Sequence, residues 1–170
     1  TMDVRDLAPS LLALGELFTR ANDLLNVESV SVSLKIRATQ PGSFELLLVL
    51  TQAYHAATPF ATRDFITSAI ALKNLVVGQD SLFSLVKKLK GQKPIVSEQR
   101  ADGITLEATN LKVFVPTEVY RLSQDNGIKR LAQAVVEPLF RQGIETLVIK
   151  EGDRDIESIT KEDAPSFSAV

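Results

Sequence analysis

Val30-Ser31-Val32-Ser33-Leu34-Lys35-Ile36-Arg37-Ala38 leads through Thr39-Gln40-Pro41-Gly42-Ser43 into Phe44-Glu45-Leu46-Leu47-Leu48-Val49-Leu50-Thr51. In the first run apolar residues alternate strictly with Ser, Lys and Arg. A period of two belongs to a strand with one buried face and one wet face. Pro41 presets the backbone at the first corner of a type II turn, and Gly42 supplies the positive φ of the second. The second run is apolar nearly throughout, as in a strand covered on both faces. Strands joined this tightly are antiparallel.

The sequence on either side follows from this hairpin. Before it, Leu7, Leu11, Leu14, Phe18, Ala21 and Leu25 recur at helical spacing, with Leu12, Leu17 and Leu24 widening the stripe. Asp6 is the predicted N-cap, with Pro9 in the first turn. After it, helical spacing returns from Phe65 to Val76 and again from Leu82 to Leu89, broken by Gly78-Gln79-Asp80. A second hairpin is predicted from the alternation at Ile104-Leu106-Ala108 and Leu111-Val113-Val115, turning at Thr109-Asn110. Thr117 is expected to cap a helix, and Ile128 to Leu139 to form the last long one, with Pro138 kinking or ending it. Glu145 to Lys150, a turn at Gly152-Asp153, and a short strand through Ile156 and Ile159 close the pattern. The order α-ββ-αα-ββ-α-ββ predicts an α+β fold of antiparallel hairpins on amphipathic helices. One domain is expected over 1–163, with the helical segment 61–91 protruding and 164–170 as tail or linker.

Composition narrows the chemistry. The chain has 170 residues, of which 45% are hydrophobic, with a formal charge of −2. That is ordinary for a globular protein and too apolar for a disordered one. Having no Cys and one His, it can form neither thiol chemistry nor a two-histidine metal site. Near-neutral charge argues against a globally basic nucleic-acid binder. No phosphate-binding glycine loop or nucleophile elbow occurs. His55 stands alone after an apolar strand and reads as structural or exposed. No catalytic residue and no cofactor is expected. Asp3 and Asp6 occupy the place of a basic signal-peptide segment, which points to the cytoplasm.

Two charged segments stand out. Asp153, Asp155 and Glu157 alternate, so a strand would present three carboxylates on one face, either a solvated edge or a divalent-cation site. Lys87, Lys88, Lys90 and Lys93 form the main basic cluster. It suits a solvated helix end, an anionic lipid surface reached together with the apolar segment 65–93, or, least, nucleic-acid phosphates, since no aromatic platform interleaves it. Residues 84–100 carry +4 and residues 145–163 carry −4. Opposed patches favour head-to-tail contact between copies, which closes into a ring when the rotation allows.

Several segments resemble an uncharacterised family of proteins encoded by tailed phages and prophages. They are Met2-Asp3-Val4-Arg5-Asp6-Leu7-Ala8-Pro9-Ser10-Leu11-Leu12-Ala13-Leu14-Gly15-Glu16-Leu17, Arg37-Ala38-Thr39-Gln40-Pro41-Gly42-Ser43-Phe44-Glu45, Leu85-Val86-Lys87-Lys88-Leu89-Lys90-Gly91-Gln92-Lys93-Pro94 and Val136-Glu137-Pro138-Leu139. The resemblance implies a phage-encoded origin in a host bacterial cytoplasm and no assigned reaction. It also implies a further β-rich portion beyond Glu162-Asp163-Ala164-Pro165. Lys73, Asn74 and Asp80 depart from the family's more membrane-like middle segment.

The expectation is therefore a non-enzymatic interaction protein whose partner is a second copy of itself, or a phage or host protein, and whose assembly is open to sensing by host defence. Phe65, Ile66, Ile70, Leu82, Phe83 and Leu89 are the expected self-association residues. Lys87, Lys88, Lys90 and Lys93 against Asp153, Asp155 and Glu157 are the expected electrostatic contacts. The alternatives are peripheral membrane binding through 65–93 and a metal-dependent enzyme using Asp153, Asp155 and Glu157.

Overall fold

The computed structural model of the chain describes residues 4–25, 30–37, 42–52 and 71–168. Strands β1 (Val30–Arg37) and β2 (Ser43–Gln52) form the expected antiparallel hairpin, with Gly42 at φ 85°. The fold is α+β. His55, Phe65, Ile66 and Ile70 lie outside the described residues.

The hairpin does not stand alone. β2 pairs in parallel with β6 (Thr146–Glu151), which pairs antiparallel with β7 (Arg154–Thr160). The result is a four-stranded sheet ordered β1-β2-β6-β7. The Gly42 carbonyl accepts from Glu145 and Thr146 N–H and ties the turn to the start of β6. Phe44, Leu46, Leu48, Leu147 and Ile149 share the buried face. The other face is not the dry one that the apolar run predicts. There Leu47 is half-buried, and Lys150 lies 3.3 Å from Glu45 and 3.4 Å from Asp155.

The buried face is covered by helices. α1 (Val4–Leu25) buries Leu7, Leu14, Leu17, Phe18 and Ala21. It is already helical at Val4, so Pro9 lies inside it and not in its first turn, and Leu12, predicted in the stripe, is 65% exposed. α2 (residues 71–76) and α3 (Leu82–Leu89) follow. α4 (Thr117–Gln124) and α5 (Asn126–Val136) meet at Asp125, which caps α5 by accepting from Ile128 N–H. Pro116, not Thr117, holds the N-cap position of α4. α5 stops before Pro138 and continues as a 3-10 turn, Glu137–Phe140, as a proline without an N–H requires. Ser10 Oγ donates to the Val135 carbonyl and Arg20 reaches Asp125, so α1 and α5 run antiparallel.

A three-stranded sheet, ordered β3-β4-β5, lies apart from the four-stranded one. β4 (Ile104–Ala108) and β5 (Leu111–Val115) are the predicted hairpin. β3 (Ile95–Gln99) joins its edge and has no counterpart in the predicted order. Its inner face builds a small core of Ile104, Leu106 and Val115 with Leu85 and Val119.

The end of the described chain is structural. α6 (Pro165–Ser168) places Phe167 edge-on to Phe83, with ring centroids 5.4 Å apart, and Ala164 is fully buried. Over 164–168 the tail or linker expectation is thus corrected. The segment carries one Phe and one Ala that complete the main core, too few apolar residues to register as a periodic element.

Candidate interaction surface

The expected contact residues divide on inspection of burial. Phe83 is 0% exposed, and Leu82 is buried beside it in the main core. Leu89 is half-buried against the smaller core. The self-association assignment is corrected for Leu82 and Phe83. α3 is a wedge between the two cores: it sends Leu82 and Phe83 into one and Leu85 into the other. Its apolar surplus, which suggested a protruding surface, is used inside the chain. Over the described residues 71–93 no large apolar side chain is exposed, so within them a lipid-binding reading keeps only its lysines.

The charged segments also meet within one chain. Lys87 Nζ lies 2.7 Å from Glu157 Oε2 and donates to the Ser158 carbonyl at 3.0 Å. Gly78 N–H donates to Glu157 Oε1 at 3.3 Å. Lys73 pairs with Glu151 in the same way. Lys87 and Glu157 are therefore partners of each other, which removes them from the expected contact between copies. Lys88 faces Asp80 at 4.0 Å, and Lys90 and Lys93 are exposed. Asp153 is exposed and Asp155 faces Lys150. The three carboxylates do not converge, and among the described residues no group of three or more metal-ligating side chains forms. The bulge between Ile149 and Lys150 and the inward turn of Glu157 separate them.

What stays exposed is elsewhere. All five residues of β3 are exposed, with Ile95 at 65% and Val96 at 37%, and Phe114 on β5 is 44% exposed. Paired residues of antiparallel strands share a face. Ile95, Glu107 and Lys112 make one row of the outer face, and Glu98, Thr105 and Phe114 make the next. The Phe114 ring lies over Gly103, where a Cβ would come within 2.4 Å of its Cζ, so this glycine makes room for the ring. A shallow groove of 480 Å³ at the end of the sheet is lined by Gln92, Lys93, Ile95, Glu107, Ala108 and Thr109.

The sequence held half of this signal. Phe114 sits in the polar phase of β5's alternation, where a large aromatic has no core to enter. Ile95-Val96 gave no signal, because two apolar residues before Ser97-Glu98-Gln99 do not establish a period. A second groove, of 580 Å³, runs along α1 beside Leu12, Glu16, Arg20 and Leu131. Its Arg20 is held by Asp125.

No helix among the described residues is long and apolar enough to cross a membrane. No family model matches the chain, and no curated protein and no solved structure is significantly similar to it.

Proposed function

We propose that this chain is a non-enzymatic interaction protein that associates with copies of itself. The observation that carries the reading is the exposure of Ile95 and Phe114 on the same outer face of one small sheet. Exposed apolar side chains that share a face among polar neighbours are a mark of contact surfaces. The resemblance to tailed-phage proteins adds the setting: a phage-encoded product meeting its copies in a host cell. Ring closure needs two different complementary patches. The opposed segments that offered them are joined to each other through Lys87 and Glu157. A symmetric pair needs one self-complementary patch, which suits the sheet.

Light scattering after size exclusion, at two loading concentrations and two salt concentrations, tests this. The expected result is a mass above 18.6 kDa that rises toward a multiple of it with concentration. A mass fixed at the monomer under all conditions overturns the reading.

A further inference from the structure

We infer that the occupant of the outer face of the β3-β4-β5 sheet is the same face of a second copy, related by a two-fold axis; this rests on the self-association reading and names its surface. The four corners of the face are Ile95 and Lys112 in one row, Glu98 and Phe114 in the next. The apolar pair occupies one diagonal. The opposite charges occupy the other.

That arrangement is self-complementary. A two-fold axis lying along the Ile95–Phe114 diagonal stacks each of these residues on its own copy. It exchanges the remaining corners, so Glu98 of each chain reaches Lys112 of the other, twice per pair, beside the Glu107 that shares the row with Lys112. The strands then cross at a steep angle, near the orthogonal class of sheet packing. Among the described residues of one chain the two charges are held by exposed neighbours: Glu98 by Arg100 at 2.9 Å and Lys112 by Glu107 at 3.7 Å. Exposed pairs of this kind are weak and exchange readily. Both strand edges are less suited to a partner. β3 is preceded by Pro94 and broken by a register shift between Val96 and Glu98, devices that discourage strand addition, and β5 runs into Pro116. The face, not the edge, is open to contact.

Three five-residue strands offer less than the ~800 Å² per partner of a standard interface. The pair is therefore expected to dissociate on dilution.

The test is charge exchange in the full chain, read by sedimentation equilibrium at low salt. Glu98→Lys and Lys112→Glu each place like charges at both crossings and should weaken association about tenfold. Glu98→Lys with Lys112→Glu restores opposite charges and should return it to within about threefold of the native value. Ile95→Lys, at a position that contributes little to the monomer's core, should abolish association with an unchanged circular dichroism spectrum. A native dimer whose mass none of these variants alters overturns this surface and leaves self-association standing. Equal weakening by the single variants without recovery in the double overturns the two-fold arrangement. A native chain that stays monomeric, yet sediments with phosphatidylserine vesicles until Ile95→Lys is introduced, assigns the face to a lipid surface and overturns the second copy.

Discussion

Asp125 shows how one side chain joins two helices. It accepts Arg20 Nε at 2.5 Å and Arg20 Nη2 at 2.9 Å, and it also caps α5 through Ile128 N–H at 2.8 Å. The Arg20 hydrogen bond holds its carboxyl below the usual carboxylate range; partial burial opposes this and the Ile128 N–H reinforces it. A carboxyl whose pKa is lower folded than unfolded stabilises the fold above its unfolded value of 3.8, and this is lost as pH falls through the folded value. Gly127 makes room for the pair, since a Cβ there would fall 2.3 Å from Arg20 Nε. Gly127→Ala is expected to displace the guanidinium and so to lose the partly exposed pair. Below pH 4 the native chain should lose more stability than Gly127→Ala does, measured as the shift of the urea midpoint between pH 7 and pH 3.

The Lys87–Glu157 contact is the second residue-scale case. Glu157 is 95% withdrawn from solvent at its side chain, and Lys87 is three-quarters withdrawn. Removing one partner leaves a charge with nothing to offset its desolvation. Glu157→Gln is expected to cost about 3 kcal/mol, the low end of the range for breaking buried pairs. Lys87→Met in the same chain should recover part of it, and a double-mutant cycle in urea measures the recovery. The spacing Asp153, Asp155, Glu157 was visible as alternation. That Glu157 faces Lys87 was not, because 70 residues separate them and only the packing of α3 on β7 brings them together.

At the scale of elements, α6 and α3 depend on each other through Phe167 and Phe83. An edge-to-face pair adds about 0.5–1.5 kcal/mol beyond the burial of its two rings. Phe167→Ala should therefore cost about 3 kcal/mol. In a chain of this size that lowers Tm by roughly 6–12 °C, readable by calorimetry. Phe83→Asp, which would break only an interface if Phe83 were at the surface, should instead prevent folding. β1, β2, β4, β5, β6 and most of α1 and α5 were legible in the sequence, since their periods of 2 and 3.6 are local properties of the chain. β3 was not, because a strand exposed on both faces imposes no alternation on its residues. α6 was not, because four residues are too short to carry a helical period.

For the whole molecule, two cores of unequal size share α3 and Leu75. The larger joins both hairpins of the four-stranded sheet to α1 and α5, while the smaller supports three short strands from one side. Local opening is easiest where few buried contacts hold the backbone. Amide hydrogen exchange is expected to be fastest in β3 and slowest in β2 and β6. If copies pair through the outer face, protection of β4 and β5 should rise with protein concentration while that of β2 and β6 stays constant. Slowest exchange in β3 at all concentrations would contradict this ordering of stability.

The sequence by itself determined the elements whose pattern repeats within a few residues: the alternating strands, the helical stripes, the Gly42 turn and the Pro138 stop. It also excluded thiol chemistry and a two-histidine metal site, since the chain has no Cys and one His. Only the tertiary structure decided the parallel pairing of β2 with β6, the burial of Leu82 and Phe83, the union of Lys87 with Glu157, and the exposure of Ile95 and Phe114. Periodicity tells which side chains share a face. Whether that face meets another part of the chain or the solvent depends on surfaces distant in sequence, and these are placed only when the whole chain packs.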